Sequence, residues 1–256
     1  MYDGAPLADA EYSSSKGLHS PGEIWALVLA GGLGSRLRSV VAGRQKVMAP
    51  VRGRPFVTYI LDQLIAAGFR NVVLCTGYRA EDLEREIGRT YGPMRVVHST
   101  EPAPLGTGGA LALGASRCDS DTVLALNGDS YCQVDLGLLA RAHFRYAATA
   151  TIQLAHVPDV ARYGQVCIAI DGHVTSFQEK GASNGPGWVN AGIYCLSRHV
   201  LEGIPGGRNV SIEREVFPLL IGKGLFGFCS DAQLLDIGTP ESYAQAQTFT
   251  MEADRR

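Results

Sequence analysis

Along roughly the first 145 residues, short apolar runs alternate with segments whose apolar residues recur at three- and four-residue steps. Trp25–Ala30 is continuously apolar and runs into glycines, which predicts a buried strand. From Pro55 onward, Phe56, Tyr59, Ile60, Leu64 and Ile65 fall on one helical face, and Gly68 ends that pattern. Asn71–Thr76, Met94–His98 and Thr122–Leu126 read as further strands. A charged helix from Glu81 to about Arg89, a small-residue helix over Gly108–Arg117 and a helix over Leu136–Tyr146 separate and follow them. Strands that are apolar throughout, rather than alternating, predict a mostly parallel sheet covered by helices on both faces. Such sheets hold ligands beyond the carboxyl ends of their strands, so the loops after the first, third and fourth strands carry the candidate chemistry.

After Thr149 the spacing tightens. Thr149–His156, Gln165–Ile170, His173–Gln178 and Trp188–Leu196 are strand-like, and Asp171-Gly172 is a hairpin turn signal. This half is expected to be antiparallel and to form a small lobe. Ser211 is placed to cap a helix reaching about Gly222, with Pro218 as a kink point. Phe226–Phe228 and Leu234–Ile237 are short strands, and Pro240 opens a closing helix. The expected class is α/β, a Rossmann-like three-layer sandwich with a mostly parallel central sheet.

Composition narrows the partners. With 256 residues, 46% of them hydrophobic, a sizeable core can form. A net charge of −2 offers no electrostatic case for nucleic acid or an anionic membrane. No apolar run approaches the ~20 residues of a membrane helix. Residues 1–22 are polar, without a basic start and apolar stretch, and read as a disordered leader rather than a secretion signal. The six cysteines are scattered, with no C-x-x-C, which points away from zinc and toward a reducing, cytoplasmic compartment.

The segment Leu29-Ala30-Gly31-Gly32-Leu33-Gly34-Ser35-Arg36-Leu37 follows the first strand. Its glycines let backbone N–H groups face an anion, and Arg36 adds a planar charge suited to phosphate oxygens. No Gly-Lys-Ser/Thr follows, so it is not a Walker loop. The third glycine of a dinucleotide fingerprint is missing, and Thr76-Gly77 stands where that fold carries an acid. After the third strand comes Glu101-Pro102-Ala103-Pro104-Leu105-Gly106-Thr107-Gly108-Gly109-Ala110, in which Thr107 suits a helix N-cap. After the fourth comes Asn127-Gly128-Asp129, and a late strand ends in Asp236 before Gly238-Thr239-Pro240.

Leu-Ala-Gly-Gly-x-Gly-x-Arg-Leu, followed by Lys46, Pro50-Val51 and Gly53-x-Pro55-Phe56, resembles the signature of sugar-1-phosphate nucleotidyltransferases. The likeness runs from about Ile24 to Thr248. It departs where Gln45 and Val47, rather than prolines, flank the lysine. Within that family, the compact length and Leu-Gly-Thr-Gly-Gly-Ala look most like the guanylyltransferases acting on a manno-heptose 1-phosphate, with the mannose-1-phosphate enzymes as near neighbours.

The resemblance implies a GT-A-like nucleotidyltransferase fold in a single domain over residues 23–256. Residues 23–147 would be its nucleotide-binding half, and 148–256 a sugar-phosphate-binding half with a closing helix. It implies nucleotide contacts from Leu29, Ala30, Gly31, Gly32, Gly34, Glu101, Gly106, Thr107, Gly108, Asn127 and Gly128. Arg36 and Lys46 would hold the triphosphate. Asp129 and Asp236 would bind Mg²⁺. Gly164, Glu179, Lys180 and Asn190 would form the sugar-phosphate pocket, with Arg36, Lys46, Asp129 and Lys180 as the catalytic set.

An ionised carboxylate accepts hydrogen bonds only, and guanine offers two adjacent donors where uracil offers one ring N–H, so Glu101 points to GTP. The implied partners are small molecules, a nucleoside triphosphate and a sugar 1-phosphate, and a homo-oligomer stays open. Two rivals differ in class. A glycosyltransferase consuming a nucleotide sugar would carry Asp-x-Asp where Asn127-Gly128-Asp129-Ser130 stands. A non-catalytic nucleotide-sugar-binding regulatory subunit would be free to lose Lys46 or the aspartates.

Overall fold

The computed structural model describes residues 20–32, 37, 44–178 and 181–249, so the leader through residue 19 lies outside the described residues. The strands in chain order begin with β1 (Trp25–Leu29), β2 (Pro50–Val51), β3 (Arg54–Pro55), β4 (Asn71–Thr76) and β5 (Thr90–Tyr91). β6 (Met94–Thr100), β7 (Thr122–Asn127), β8 (Ser130–Cys132), β9 (Ala150–Val157) and β10 (Val166–Ile168) follow, then β11 (Val174–Phe177), β12 (Gly187–Ser197), β13 (Leu225–Ser230) and β14 (Leu234–Asp236). The helices are α1 (Phe56–Ala66), α2 (Ala80–Ile87), α3 (Gly106–Ala115), α4 (Leu136–Arg145), α5 (Arg198–Glu202), α6 (Phe217–Leu220) and α7 (Pro240–Ala246).

Among the described residues, eight strands form one sheet in the order β13-β9-β12-β7-β1-β4-β6-β5. β7, β1, β4 and β6 run parallel, and the first three have the largely unbroken apolar character that predicts it, whereas β6 carries an exposed Arg95. The alternation of side chains across the sheet divides them cleanly. Ala26, Val28, Val72, Leu74, Leu124 and Leu126 face the layer that contains Phe56, Tyr59, Ile60 and Leu64 of α1, Leu83 of α2 and Leu139 of α4. Leu27, Val73, Cys75, Val123 and Ala125 face Leu111 of α3, Leu201 of α5 and Phe217 of α6. The result is the expected three-layer sandwich, and the apolar runs exist because these strands are buried on both faces.

The antiparallel texture of the second half resolves into two structures. β12 inserts antiparallel between β7 and β9, and β13 adds parallel to β9, so three of these strands extend the central sheet. β10 and β11 stand apart as a hairpin, whose Asp171-Gly172 turn is held by His173 N–H donating to Asp171 Oδ1 at 3.1 Å.

Two helix starts differ from the sequence reading. Thr107 lies inside α3 rather than capping it, because its hydroxyl is taken by residues of another segment. Ser211 does cap, accepting from Arg214 N–H, but the turn Ile212–Val216 is a π-helix, with Phe217 N–H bonded back to Ile212 O. It sits just ahead of Pro218, which has no N–H to continue an ordinary ladder. α7 begins at Pro240 as predicted, under a reciprocal cap between Thr239 and Ser242.

His143 on α4 is buried, its Nδ1 3.0 Å from Thr151 Oγ1. Burial pushes its pKa down to about 4 from an ordinary 6.5. The unfolded chain therefore binds a proton between those two values that the folded chain does not, and stability falls as pH drops through that window, by about 3 kcal/mol in total. His143→Gln is expected to flatten this part of the pH dependence of the urea midpoint, measured from pH 7 to 4.5. An unchanged slope would refute the assignment to His143.

Candidate active site

The carboxyl ends of the parallel strands converge. Leu29 closes β1, Ala30 N–H donates to Cys75 O beside it at 2.7 Å, and Gly31 and Gly32 continue into the loop. Gly34 and Arg36 lie outside the described residues. At the end of β7, Asn127 pairs with Leu29, and Gly128 N–H donates to Leu29 O at 2.9 Å. A Cβ on Gly128 would stand 2.4 Å from that carbonyl, so this position accepts no side chain. The approach lets Asp129 emerge beside the carboxyl end of β1.

Asp236 reaches the same place from the far end of the chain. β14 pairs antiparallel with β8, with Asp236 opposite Ser130, and Ile237 N–H donates to Asp129 O at 3.1 Å. Lys46 stands between the two carboxylates, its Nζ 2.7 Å from Asp129 Oδ2 and 3.5 Å from Asp236 Oδ1. The lysine side chain is only 11% exposed, whereas the aspartates are about 40% exposed, so the carboxylates keep an open side. Two carboxylates with free lone pairs facing solvent fit a small hard cation that keeps several waters or takes phosphate oxygens.

The flanks of Lys46 show how the loop is held without prolines. Gln45 has φ −62° and ψ 146°, the backbone a proline would impose, and its Nε2 donates to Tyr78 O. A buried hydrogen bond thus does what a ring does elsewhere. Val47 is buried against Gly128, within 3.0 Å of where a Cβ there would lie.

Glu101 follows β6. Its Oε2 accepts Leu105 N–H at 3.0 Å, and its Oε1 lies against the backbones of Gly31 and Gly77. The first turn of α3, with Gly106, Thr107 and Gly108, is stitched to the segment before the π turn. Gly108 N–H donates to Val210 O and Val210 N–H to Leu105 O, both at 2.8 Å, and Thr107 Oγ1 donates to Glu213 Oε2 at 2.7 Å.

On the other side, Asn190 sits where β12 bulges. Its Oδ1 accepts Gly192 N–H at 2.8 Å and its Nδ2 donates to Tyr194 OH at 3.0 Å. Gly192, at φ +75°, is where the bulge turns, and a Cβ there would lie 2.6 Å from Asn127 Nδ2. Asn127 Oδ1 is buried and has no hydrogen-bond partner among the described residues. Burial holds the Tyr194 phenol protonated, well above its ordinary value, and the nearby Glu213 and Asp129 carboxylates add to this. Gly164 closes the turn before β10, with its N–H on Val160 O at 3.0 Å. Glu179 and Lys180 lie outside the described residues.

The structure therefore gathers Lys46, Asp129 and Asp236 tightly, and sets Glu101 and Asn190 on separate rims. Sequence reasoning missed Gln45 as an anchor, Tyr194 and Glu213. Tyr194 is hidden in an apolar strand, and Glu213 reads as an ordinary acid in a first helical turn, where acids are favoured anyway.

The sequence profile described as "Nucleotidyl transferase" matches residues 25–253. The chain belongs to the nucleotidyl transferase family. It is 37% identical over 227 residues to the mannose-1-phosphate guanylyltransferase of Mycobacterium tuberculosis, covering 87% of this chain and 63% of that protein's length. It is also 37% identical over 223 residues to the D-glycero-alpha-D-manno-heptose 1-phosphate guanylyltransferase of Aneurinibacillus thermoaerophilus, covering 87% of this chain and 96% of that one. The crystal structure of HddC from Yersinia pseudotuberculosis superposes with a TM-score of 0.78 at 31% identity, over 88% of this chain and 98% of that chain, and that protein has also been solved complexed with GMP-PN. Among the described residues no helix is long and apolar enough to cross a membrane.

Gly128→Ala is expected to cost roughly 1–3 kcal/mol or more, because the clash is with backbone. Gly32→Ala, with nothing among the described residues within 4 Å of its added methyl, should stay within about 0.5 kcal/mol of the parent. Urea unfolding of the pair checks this, and equal midpoints would contradict the close approach of β1 and β7.

Proposed function

We propose that this chain joins a nucleoside triphosphate, GTP by preference, to a sugar 1-phosphate, giving a nucleotide-diphosphate sugar and pyrophosphate for surface polysaccharide or glycoconjugate synthesis. The observation that carries the reading is the meeting of Lys46 with Asp129 and Asp236 at the carboxyl ends of the strands, in a member of this family. D-glycero-α-D-manno-heptose 1-phosphate is the favoured sugar substrate, supported by the near-full-length match to the heptose enzyme. Mannose 1-phosphate is the second reading, supported by the equal identity to the mycobacterial enzyme. A non-catalytic binder is disfavoured because the lysine and both aspartates are kept and brought together. The free cysteines suit a reducing cytoplasm.

In this reading an oxygen of the sugar phosphate attacks the α-phosphorus, the bond from that phosphorus to the β-phosphate bridge breaks, and pyrophosphate leaves in line. The attacking monoester is already an anion near neutral pH, so no protein base is required. The chain's task is to position two polyanions and neutralise them. Lys46 and Arg36 hold the phosphates that leave, and Lys180 holds the one that attacks. Asp129 and Asp236 would hold Mg²⁺, which when bound would supply charge neutralisation for the phosphates. The β1 loop with Leu29, Ala30, Gly31, Gly32 and Gly34 cradles the triphosphate, beside Asn127 and Gly128. Glu101, already anchored through Oε2, offers Oε1 to the guanine donors, with Gly106, Thr107 and Gly108 forming the wall next to it. Glu179 and Asn190 receive sugar hydroxyls, and Gly164 leaves room for the ring.

Pyrophosphate release across five nucleoside triphosphates and the heptose, mannose and glucose 1-phosphates should be fastest with GTP. Lys46→Ala and Asp129→Ala should fold, by circular dichroism, yet lose roughly 10²–10³ in turnover. Near-normal turnover in either sinks the proposal. Glu101→Gln should narrow the advantage of GTP over UTP by about tenfold, the cost of a charge-assisted hydrogen bond. An unchanged preference would remove Glu101 from base recognition.

A further inference from the structure

Glu213 is half-buried in the π turn, and its carboxylate faces away from its own turn's needs. Capping there is already done by Ser211 Oγ, which accepts Arg214 N–H, and by Glu215 Oε1, which accepts Ser211 N–H at 2.9 Å. Glu213 instead reaches two distant elements. Its Oε2 accepts from Thr107 Oγ1 at 2.7 Å and from Ser211 Oγ at 2.9 Å. Its Oε1 accepts from Tyr194 OH at 3.3 Å, and that hydroxyl in turn accepts from Asn190 Nδ2. Thr107 also accepts Ile212 N–H at 2.9 Å, so the first turn of α3 is locked to the π turn in both directions. A carboxylate taken partly out of water needs such donors, and here they come from both rims of the cleft.

We infer that Glu213 is a positioning residue that ties the nucleotide-side turn at Thr107 to the sugar-side bulge at Asn190, so that the two substrate pockets are set together. The inference rests on the proposed two-substrate reaction for its kinetic consequences, though the tie itself is a property of the fold. Tyr194 is the sugar-side arm and Thr107 the nucleotide-side arm. With Asn190 Oδ1 already fixed by Gly192 N–H, the Tyr194 hydroxyl sets the remaining half of that amide. Each substrate meets a rim whose geometry depends on one shared carboxylate.

The arms separate by substitution. Thr107→Val should raise KM for GTP three- to tenfold and leave KM for mannose 1-phosphate within twofold. Tyr194→Phe should do the reverse. Glu213→Ala should raise both. Glu213→Gln should resemble Tyr194→Phe, because its carbonyl still accepts from Thr107 and Ser211 while its amide N–H₂ opposes the Tyr194 hydroxyl. A merely structural role predicts instead that Gln and Ala act alike on both KM values, in step with lost stability. The Thr107→Val/Tyr194→Phe double variant should raise both KM values and so match Glu213→Ala, since both arms end on that carboxylate.

Amide hydrogen exchange reads the tie without turnover. Glu213→Ala should speed exchange at Gly108 and Gly192 alike, and Tyr194→Phe at Gly192 alone. Unchanged protection at both amides in Glu213→Ala overturns the inference. An inactive wild-type chain would overturn the proposed reaction, while the exchange data would still decide the coupling.

Discussion

The carboxylates of residues 129 and 236 repel one another, and Lys46 places positive charge against both from a third place in the chain. The rest of the structure makes this meeting possible. The β8–β14 ladder sets the aspartates side by side, the unbranched approach of Gly128 to Leu29 brings Asp129 to the end of β1, and Gln45 fixes the turn from which Lys46 projects. The lysine is shielded and the carboxylates stay half-open, so the charge that draws them together lies beside a face where a cation and phosphates can enter.

This arrangement needs a frame that does not yield. Parallel strands buried on both faces supply it, since Trp25–Leu29, Val72–Cys75 and Val123–Leu126 pack alternately against one helical layer and the other. The loops that carry chemistry are then short extensions of rigid strands. Gly128 and Gly192 are small for the same reason: in each case another strand or a neighbouring amide occupies the volume a side chain would fill.

A second level of order joins the rims. The segment from Asn209 to Glu213 is hydrogen-bonded to the start of α3, and through Tyr194 to the bulge of β12. The π turn lets one carboxylate serve both. A pocket for two polyanionic substrates benefits from such a link, because positioning is the larger part of phosphoryl-transfer catalysis.

The sequence by itself determined the layered α/β class, the parallel core strands and the α1 and α7 starts, and it singled out Lys46, Asp129, Asp236 and Glu101 as candidates for the chemistry. These are local signals: apolar period, proline and glycine punctuation, and motifs contiguous in the chain. Only tertiary structure decided that β9, β12 and β13 join the central sheet, because strand pairing depends on partners far apart in sequence. The same holds for Thr107, whose hydroxyl has the local look of a cap but is claimed by Glu213, 106 residues away. Gln45 and Tyr194 carry no motif at all. Their roles arise from what lies opposite them, the Tyr78 carbonyl and the Asn190 amide, and no pattern along the chain records that.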